Sequence, residues 1–142
     1  VNASIIAKER GIKIVETKSS QIEEFANLVT IEAKTDKMKT VVAGTLSSRK
    51  EPRLVKINDF YVDAETQGYL LILSNEDKPG IIGQIGTVLG QHKINIAGMT
   101  LGRTKAGGIA MTVLNLDEQV PDAVMKEIRT AKHVLDAKLI RQ

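Results

Sequence analysis

The fold is decided by the stretch Tyr69–Gly83, which reads YLLILSNEDKPGIIG. Its first six residues form an apolar run of strand length. A short acidic turn follows, and Pro79 then stands where a helix begins, because its missing N–H group has no intrahelical partner at that position. The stretch therefore predicts a strand over 69–74 that runs directly into a helix.

The predicted helix spans 79–91, where Ile, Val and Leu recur at helical spacing and form one apolar face. Gly83, Gly86 and Gly90 each cost this helix about 1 kcal/mol relative to Ala. Glycine at such a cost suggests that another backbone or a ligand approaches the helix closely.

The second half continues with further strands and one more helix. Strands are predicted over 94–102, 109–116 and 134–140, and a helix over 121–130. The order β-α-β-β-α-β predicts an α+β, ferredoxin-like fold in which both helices cover one face of an antiparallel sheet. The other face and the edge strands need protection, and pairing with a second copy would supply it.

The first half of the chain has a different pattern of predicted elements. Residues 1–10 resemble the end of a helix, with Gly11 as its stop. About five strands are predicted after it, over 12–15, 26–33, 40–46, 54–57 and 60–62, with a hairpin between the second and the third. Residues 16–24 are predicted as a loop, and 64–68 separate the halves. Because Val1 is not an initiator Met, we expect a fragment of a longer protein.

The composition excludes several classes of function. The chain of 142 residues has no Cys, so disulfides, thiolate metal sites and Cys nucleophiles are absent. Aromatic residues are 3% of the chain and the net charge is +3, which argues against a nucleic-acid partner. No apolar run reaches the roughly 18 residues of a membrane span. The partner is expected to be neither nucleic acid nor membrane.

The candidates for catalysis are few. The two His residues, His92 and His133, stand at predicted helix ends beside Lys, where a solvated His interacts well with the helix dipole. No pair of these residues with Ser or carboxylates matches a catalytic pattern. We therefore expect no catalytic residues and no metal site.

A binding site is easier to assemble at the start of the first predicted ferredoxin-fold helix. Backbone N–H groups at a helix N-terminus suit a carboxylate. Asp77 could pair with an ammonium group, and Asn75 and Asn95 can each donate and accept hydrogen bonds. Alternatively, Asp77 only caps the helix and Asn95 only shapes a turn. The candidate residues for a small zwitterion are Asn75, Asp77, Gly80, Ile81, Ile82 and Asn95.

A second polar cluster consists of Arg49, Lys50, Arg53 and Lys56. These side chains could capture a phosphate or a carboxylate. Alternatively, they form a solvated loop and strand edge.

Two resemblances become visible from these motifs. The segment Ile72–Gly83, with Val88-Leu89-Gly90 and Ile94-Asn95-Ile96-Ala97, resembles the ACT domain, a small amino-acid-sensing module. The first half resembles the intervening domain of long-form D-3-phosphoglycerate dehydrogenases. Its matching segments are Val1-Asn2-Ala3, Asn27-Leu28, Val42–Leu46 and Glu51–Val55. Together the two resemblances cover nearly the whole chain.

The resemblance implies part of an intervening domain over 1–66 and an ACT domain over 67–142. It implies a cytoplasmic parent enzyme that oxidises 3-phosphoglycerate with NAD in the first step of L-serine biosynthesis, with no cofactor in this fragment. Family ACT domains pair as homodimers or higher homo-oligomers and bind L-serine, or a similar small amino acid, as feedback effector. By position, Asn75 and Asp77 match the loop contacts, Gly80–Ile82 the carboxylate site, and Asn95 the contact from the partner. Arg53 matches a basic position of the intervening domain.

Two other interpretations share the fold. The chain could be the amino-acid-sensing region of an L-serine dehydratase, which also joins an intervening-type domain to an ACT domain. It could also be a purely structural oligomerisation module without a ligand.

Overall fold

The computed structural model of the protein describes residues 2–18, 25 and 27–141. These residues contain three helices and eight strands. The strands form two antiparallel sheets, with strand orders β1-β2-β3-β4 and β6-β7-β5-β8. The elements are α1 Ala3–Glu9, β1 Leu28–Lys34, β2 Lys39–Leu46, β3 Pro52–Ile57, β4 Phe60–Glu65, β5 Tyr69–Glu76, α2 Ile81–Gln91, β6 Ile96–Arg103, β7 Ile109–Leu116, α3 Asp122–Thr130 and β8 Val134–Arg141.

The second sheet has the predicted β-α-β-β-α-β order, so the ferredoxin-like prediction is confirmed. The strand β5 lies between β7 and β8 and is apolar on both faces, as expected for a central strand. On one face, α2 and α3 enclose an aliphatic core. Its fully buried side chains include Leu71, Leu73, Ile85, Leu89 and Ile128.

The opposite face of this sheet packs against β3 and β4 of the first sheet. A second core forms there between Ile57, Val62 and Ala64 of the first sheet and Leu70, Met111 and Val113 of the second. The expectation that a second copy would protect this face is therefore wrong, because the chain covers it with its own β-hairpin. The outer edges of β6 and β8 pair with no other strand among the described residues.

The two sheets are joined closely where β4 crosses β6 and β7. The Asp63 N–H group donates to Thr100 Oγ1 (3.3 Å), and Asn115 Nδ2 donates to the Glu65 carbonyl (2.9 Å). Gly102 lies directly beneath the Tyr61 carbonyl. Only a residue without Cβ fits at this crossing.

Most differences from the sequence-based boundaries are small, but one predicted strand is wrong. Helix α1 ends before Gly11, which has a positive φ of 69°, as predicted. Residues 12–15 form no strand. The Ile12 N–H group bonds back to the Ala7 carbonyl (2.8 Å), and Ile12 and Ile14 stay exposed. The segment lacks a ladder partner in the described part of the chain. Of the other predicted segments, 19–24 and residue 26 lie outside the described residues.

Helix α2 begins at Ile81, two residues later than predicted, and β6 begins at Ile96. The delay of β6 follows from the helix end, because the Ile94 N–H group still bonds to the Leu89 carbonyl (3.0 Å). None of the described helices is long and apolar enough to cross a membrane.

The crossing of β4 over β6 gives a test of the two-sheet packing. A Cβ on Gly102 would overlap the Tyr61 carbonyl, whereas one on Gly98 of the same strand meets only Asn115 side-chain atoms at 3.7 Å or more. We expect Gly102→Ala to lower the free energy of unfolding by about 1–3 kcal/mol, as overpacking does. Gly98→Ala, the matched control, should change it by much less in the same urea titration. Equal effects of the two substitutions would contradict this packing.

Candidate functional site

The candidate site lies at the end of the second sheet, where β5 leads into α2 and β6 turns into β7. The loop between β5 and α2 contains Pro79 and then Gly80, whose φ of 92° is a left-handed conformation that favours Gly. The left-handed Gly80 is the N-cap of α2, so the helix begins directly after this turn.

Helix α2 begins without a side-chain cap, since its N-cap is Gly80. Its first i→i−4 hydrogen bond runs from the Gln84 N–H group to the Gly80 carbonyl (2.9 Å). The preceding N–H groups of Ile81, Ile82 and Gly83 have no intrahelical acceptor. They carry the partial positive charge of the helix dipole. The interpretation that Asp77 caps this helix is therefore wrong.

Asp77 instead binds the turn between β6 and β7. Its Oδ2 accepts from Arg103 Nη1 (2.8 Å) and from the Gly107 N–H group (3.0 Å). Its own N–H group donates to the Gly108 carbonyl (2.8 Å). These three bonds hold the β5–α2 loop and the β6–β7 turn together as one rigid edge of the site.

The charge of Asp77 is fixed by the same contacts. The Gly107 N–H bond, followed by the Arg103 guanidinium, lowers the pKa of the Asp77 carboxyl below its ordinary value. Asp77 is therefore a carboxylate throughout the neutral range. Arg103 balances this charge from the last position of β6.

Sequence reasoning missed Arg103. A signal for it existed in the strand register: Arg103 pairs with Ala110 on β7, and Ala110 pairs with Asn75 on β5. Arg103 and Asn75 therefore lie on either side of Ala110 across the sheet. The register of the β6–β7 hairpin, with its five-residue turn, was the missing information.

Asn75 is the buried member of the site, with 1% of its surface exposed. Its Oδ1 accepts from Thr112 Oγ1 (3.0 Å), and its Nδ2 donates to the Glu76 carbonyl (2.9 Å). An amide group can make further bonds with its second N–H and its other lone pair. The two internal bonds fix the orientation of this side chain at the strand end.

Asn95 lies at the other end of β6. It is exposed; its Nδ2 donates to Asp117 Oδ2 (2.6 Å), and its backbone N–H group donates to Glu118 Oε2 (2.8 Å). Strand β6 has eight residues, so roughly 25 Å separate Asn95 from Arg103 in the same chain. One chain therefore brings Asn75, Asp77 and the start of α2 together, but not Asn95.

The two His residues have different surroundings. His133 lies at a helix end, as predicted, but it is only partly exposed, and its Nδ1 stands 2.7 Å from Glu76 Oε2. The Glu76 N–H group also bonds to the His133 carbonyl (2.9 Å), which fixes the end of β5 to the α3–β8 turn. His92 is the C-cap residue of α2, and its Nε2 lies 3.5 Å from Glu127 Oε2 of α3.

The basic cluster of the first sheet is divided among different neighbours. Arg53 is mostly buried and pairs with Asp63 (2.8 Å) and Glu65 (3.3 Å) of β4. Lys56 lies over the Tyr61 ring at 5.5 Å. The acidic partners of Arg53 were not foreseen from the sequence, because they depend on the pairing of β3 with β4.

An open groove of about 800 Å³ lies beside Arg53. Arg49, in the β2–β3 turn, lines the same groove, and its N–H group bonds to Ser47 Oγ (3.2 Å). Lys50 stands in the same turn with a positive φ of 62°. The structure thus places Arg49 and Arg53 on one groove, whereas Lys56 lines a separate hollow of about 370 Å³.

Comparison with known protein families matches both halves of the chain. Residues 69–133 match the ACT domain, and residues 1–58 match the D-3-phosphoglycerate dehydrogenase intervening domain. The chain joins an intervening domain to an ACT domain. Both resemblances drawn from the sequence are thereby confirmed.

Several named relatives match nearly the whole chain. The D-3-phosphoglycerate dehydrogenase of Synechocystis is 35% identical over 141 residues, which are 99% of this chain and 26% of that protein. The D-3-phosphoglycerate dehydrogenase of Methanocaldococcus jannaschii is 37% identical over 140 residues (99% and 26%). That of Bacillus subtilis is 35% identical over 140 residues (99% and 27%). The chain spans about a quarter of the length of these relatives and corresponds to their C-terminal region.

The bonds of Asp77 lead to a prediction about pH. A folded pKa below the unfolded value means that the carboxylate stabilises the fold above the ordinary Asp pKa of about 4, and that this stabilisation is lost as the pH falls through the lowered folded pKa. We expect wild type to exceed Asp77→Asn in melting temperature from pH 5 to 8, and the difference to shrink by pH 3. Thermal melts across this range would measure it.

The control for net charge is Asp59→Asn, in the exposed turn between β3 and β4. A difference between wild type and Asp77→Asn that is as large at pH 3 as at pH 7 would show that the ionised carboxylate does not stabilise the loop.

Proposed function

We propose that this chain is the regulatory region of a D-3-phosphoglycerate dehydrogenase, and that two copies together bind L-serine. The parent enzyme would oxidise 3-phosphoglycerate with NAD in the cytoplasm, and L-serine, the end product of its pathway, would act as feedback effector. The observation behind the proposal is the geometry of β6. One end of this strand holds Asp77 through Arg103, and the other end begins after Asn95.

Two-fold pairing of β6 with the β6 of a second copy would complete the site. In an antiparallel pair, the first residues of one strand lie opposite the last residues of the other. Asn95 of the partner subunit would then stand beside the loop that holds Asp77. Isologous pairing of this kind forms two equal sites, one at each end of the strand pair.

The charges along β6 support pairing at this edge. Its last residue is Arg103, followed by Lys105, whereas its beginning is bonded to Asp117 and Glu118 through Asn95. Antiparallel pairing would therefore bring opposite charges together, which favours the encounter.

The second free edge is less suited to the same pairing. Strand β8 follows Lys132 and ends at Arg141, so the antiparallel arrangement would oppose like charges. This difference in charge is one reason to propose β6, rather than β8, as the edge where two copies meet.

The glycines of α2 agree with a close neighbour outside the chain. A Cβ on Gly83, Gly86 or Gly90 would have no described atom within 4 Å beyond its chain neighbours and the nearby backbone of α2, so packing within the described residues does not require Gly at these positions. Each nevertheless lowers the stability of the helix relative to Ala. A partner subunit or a ligand that packs against this side of α2 would account for all three.

The chemistry of the site suits L-serine. The N–H groups at Gly80, Ile81 and Ile82 would receive the carboxylate. The ammonium group would bind Asp77 Oδ1, because the two hydrogen bonds of this carboxylate described above both fall on Oδ2. Asn75 and the partner's Asn95 would then bond to the hydroxyl group.

The first domain has a proposed role of its own. We propose a boundary that assigns 1–66 to the intervening domain and 67–142 to the ACT domain, since β4 ends at Glu65 and β5 begins at Tyr69. The groove lined by Arg49 and Arg53 is the proposed anion site, with Lys50 and Lys56 as nearby positive charges. An anion would have to compete there with Asp63 and Glu65 for Arg53.

Titration with L-serine tests the proposed function. At 100 times its dissociation constant, a ligand that binds only the folded state adds about 2.7 kcal/mol of stability. We expect L-serine to raise the melting temperature, and Asn95→Ala to abolish the effect, because the partner's contact is lost. Asn2→Ala, at an α1 N-cap without a side-chain bond, is the matched control.

D-serine, glycine and 3-phosphoglycerate serve as ligand controls in the same experiment. Sedimentation at several protein concentrations should show that L-serine favours the dimer. If millimolar L-serine changes neither the melting temperature nor the dimer fraction, the structural oligomerisation module becomes the better interpretation.

The glycines of α2 give a prediction in which two measurements change in opposite directions. Gly86→Ala should stabilise the monomer by up to about 1 kcal/mol, because Ala favours the helix and its Cβ would meet no described atom outside the nearby backbone of α2. The same methyl group should weaken the dimer and L-serine binding. Gln84→Ala, at an exposed position of the same helix, should leave dimerisation unchanged. A Gly86→Ala variant that dimerises as well as wild type would count against a close partner.

A further inference from the structure

Arg103 is in a position to determine which ligands the site accepts. It occupies the last position of the edge strand β6, and about half of its side chain is exposed. Its guanidinium donates from Nη1 to Asp77 Oδ2 at 2.8 Å. The Gly107 N–H group shares the same oxygen at 3.0 Å. Both bonds therefore fall on one oxygen of the carboxylate.

The second oxygen, Oδ1, is oriented by these bonds. A carboxylate fixed through Oδ2 by two donors cannot rotate freely, so Oδ1 is held in one direction. An incoming ammonium group can bind Oδ1 without breaking the contact with Arg103. Arg103 thus prepares Asp77 for a ligand, as preorganised groups in binding sites do.

Arg103 also changes the net charge that a ligand meets. Asp77 alone would present a full negative charge and would attract any small amine. With Arg103 beside it the pair is neutral, and the nearby start of α2 adds about half a positive charge. A cationic amine gains little from such a site, whereas a zwitterion can bind the carboxylate oxygen and the helix start together.

We propose that Arg103 is a positioning and specificity residue that makes the site select α-amino acids over amines without a carboxylate. This inference rests on the proposed function, because it concerns the same ligand site. It adds a residue that neither the site motif nor the resemblance indicated. Arg103 acts through Asp77 and through the local charge.

The test compares two ligands that differ only in the carboxylate group. L-Serine and ethanolamine share the ammonium and hydroxyl groups, and calorimetric titration gives the affinity of each. We expect wild type to prefer L-serine strongly. Arg103→Gln should lower the ratio of serine affinity to ethanolamine affinity about ten-fold, because it removes a positive charge near the carboxylate that only serine carries.

Three variants separate this role from a general structural effect. Arg103→Lys keeps the charge and should restore most of the selectivity. Lys126→Gln removes an exposed positive charge on α3, away from the site, and should leave the affinity ratio unchanged. Asn95→Ala should abolish the binding of both ligands, because both carry the hydroxyl group that the partner's Asn95 would bind. Circular dichroism and sedimentation of each variant check the fold and the dimer.

The outcomes distinguish the inference from the proposed function. If wild type fails to bind L-serine, both are overturned. If wild type binds L-serine and the folded Arg103→Gln dimer keeps the full preference over ethanolamine, only the inference about Arg103 is overturned. A lowered ratio in Arg103→Gln that Arg103→Lys restores supports it.

Discussion

The central strand β5 is the element on which the other layers depend. It pairs with β7 on one side and with β8 on the other. Leu71 and Leu73 point into the core beneath α2 and α3, and Leu70 points into the core shared with the first sheet. Each such buried side chain contributes about 1.5–3 kcal/mol. Because both faces of β5 are packed, the loop that follows this strand is anchored to a rigid element.

Because both faces of the second sheet are covered, few of its surfaces remain open for binding. A sheet covered by helices on one side and by a β-hairpin on the other offers only its edges and its strand ends to a partner or a ligand. Loops at strand ends, held by a rigid framework, are common places for binding residues. The site at Asp77 satisfies both conditions, since it lies at a strand end and is bonded to the edge strand through Arg103.

The sequence predicted local features well because their signals are local. The helix and strand order of the second half followed from apolar periodicity, and the hairpin of β1 and β2 from two β-rich segments around a polar turn. The strand predicted at 12–15 was wrong because β-propensity cannot reveal whether a ladder partner exists. The pairs Arg103–Asp77 and Arg53–Asp63 escaped prediction because each depends on the register between paired strands, which the apolar pattern of the sequence does not specify.

The choice between capping and ligand binding at Asp77 shows what the structure adds to a motif. An Asp two residues before a Pro at a helix start is compatible with either role, and spacing alone leaves both open. The left-handed Gly80 turns the chain so that α2 starts without Asp77, whose carboxylate bonds to Arg103 and Gly107 instead. The carboxylate of Asp77 therefore accepts no hydrogen bond from the first N–H groups of α2. A positive helix end and a fixed carboxylate that do not neutralise each other are the pair of charges that a zwitterion requires.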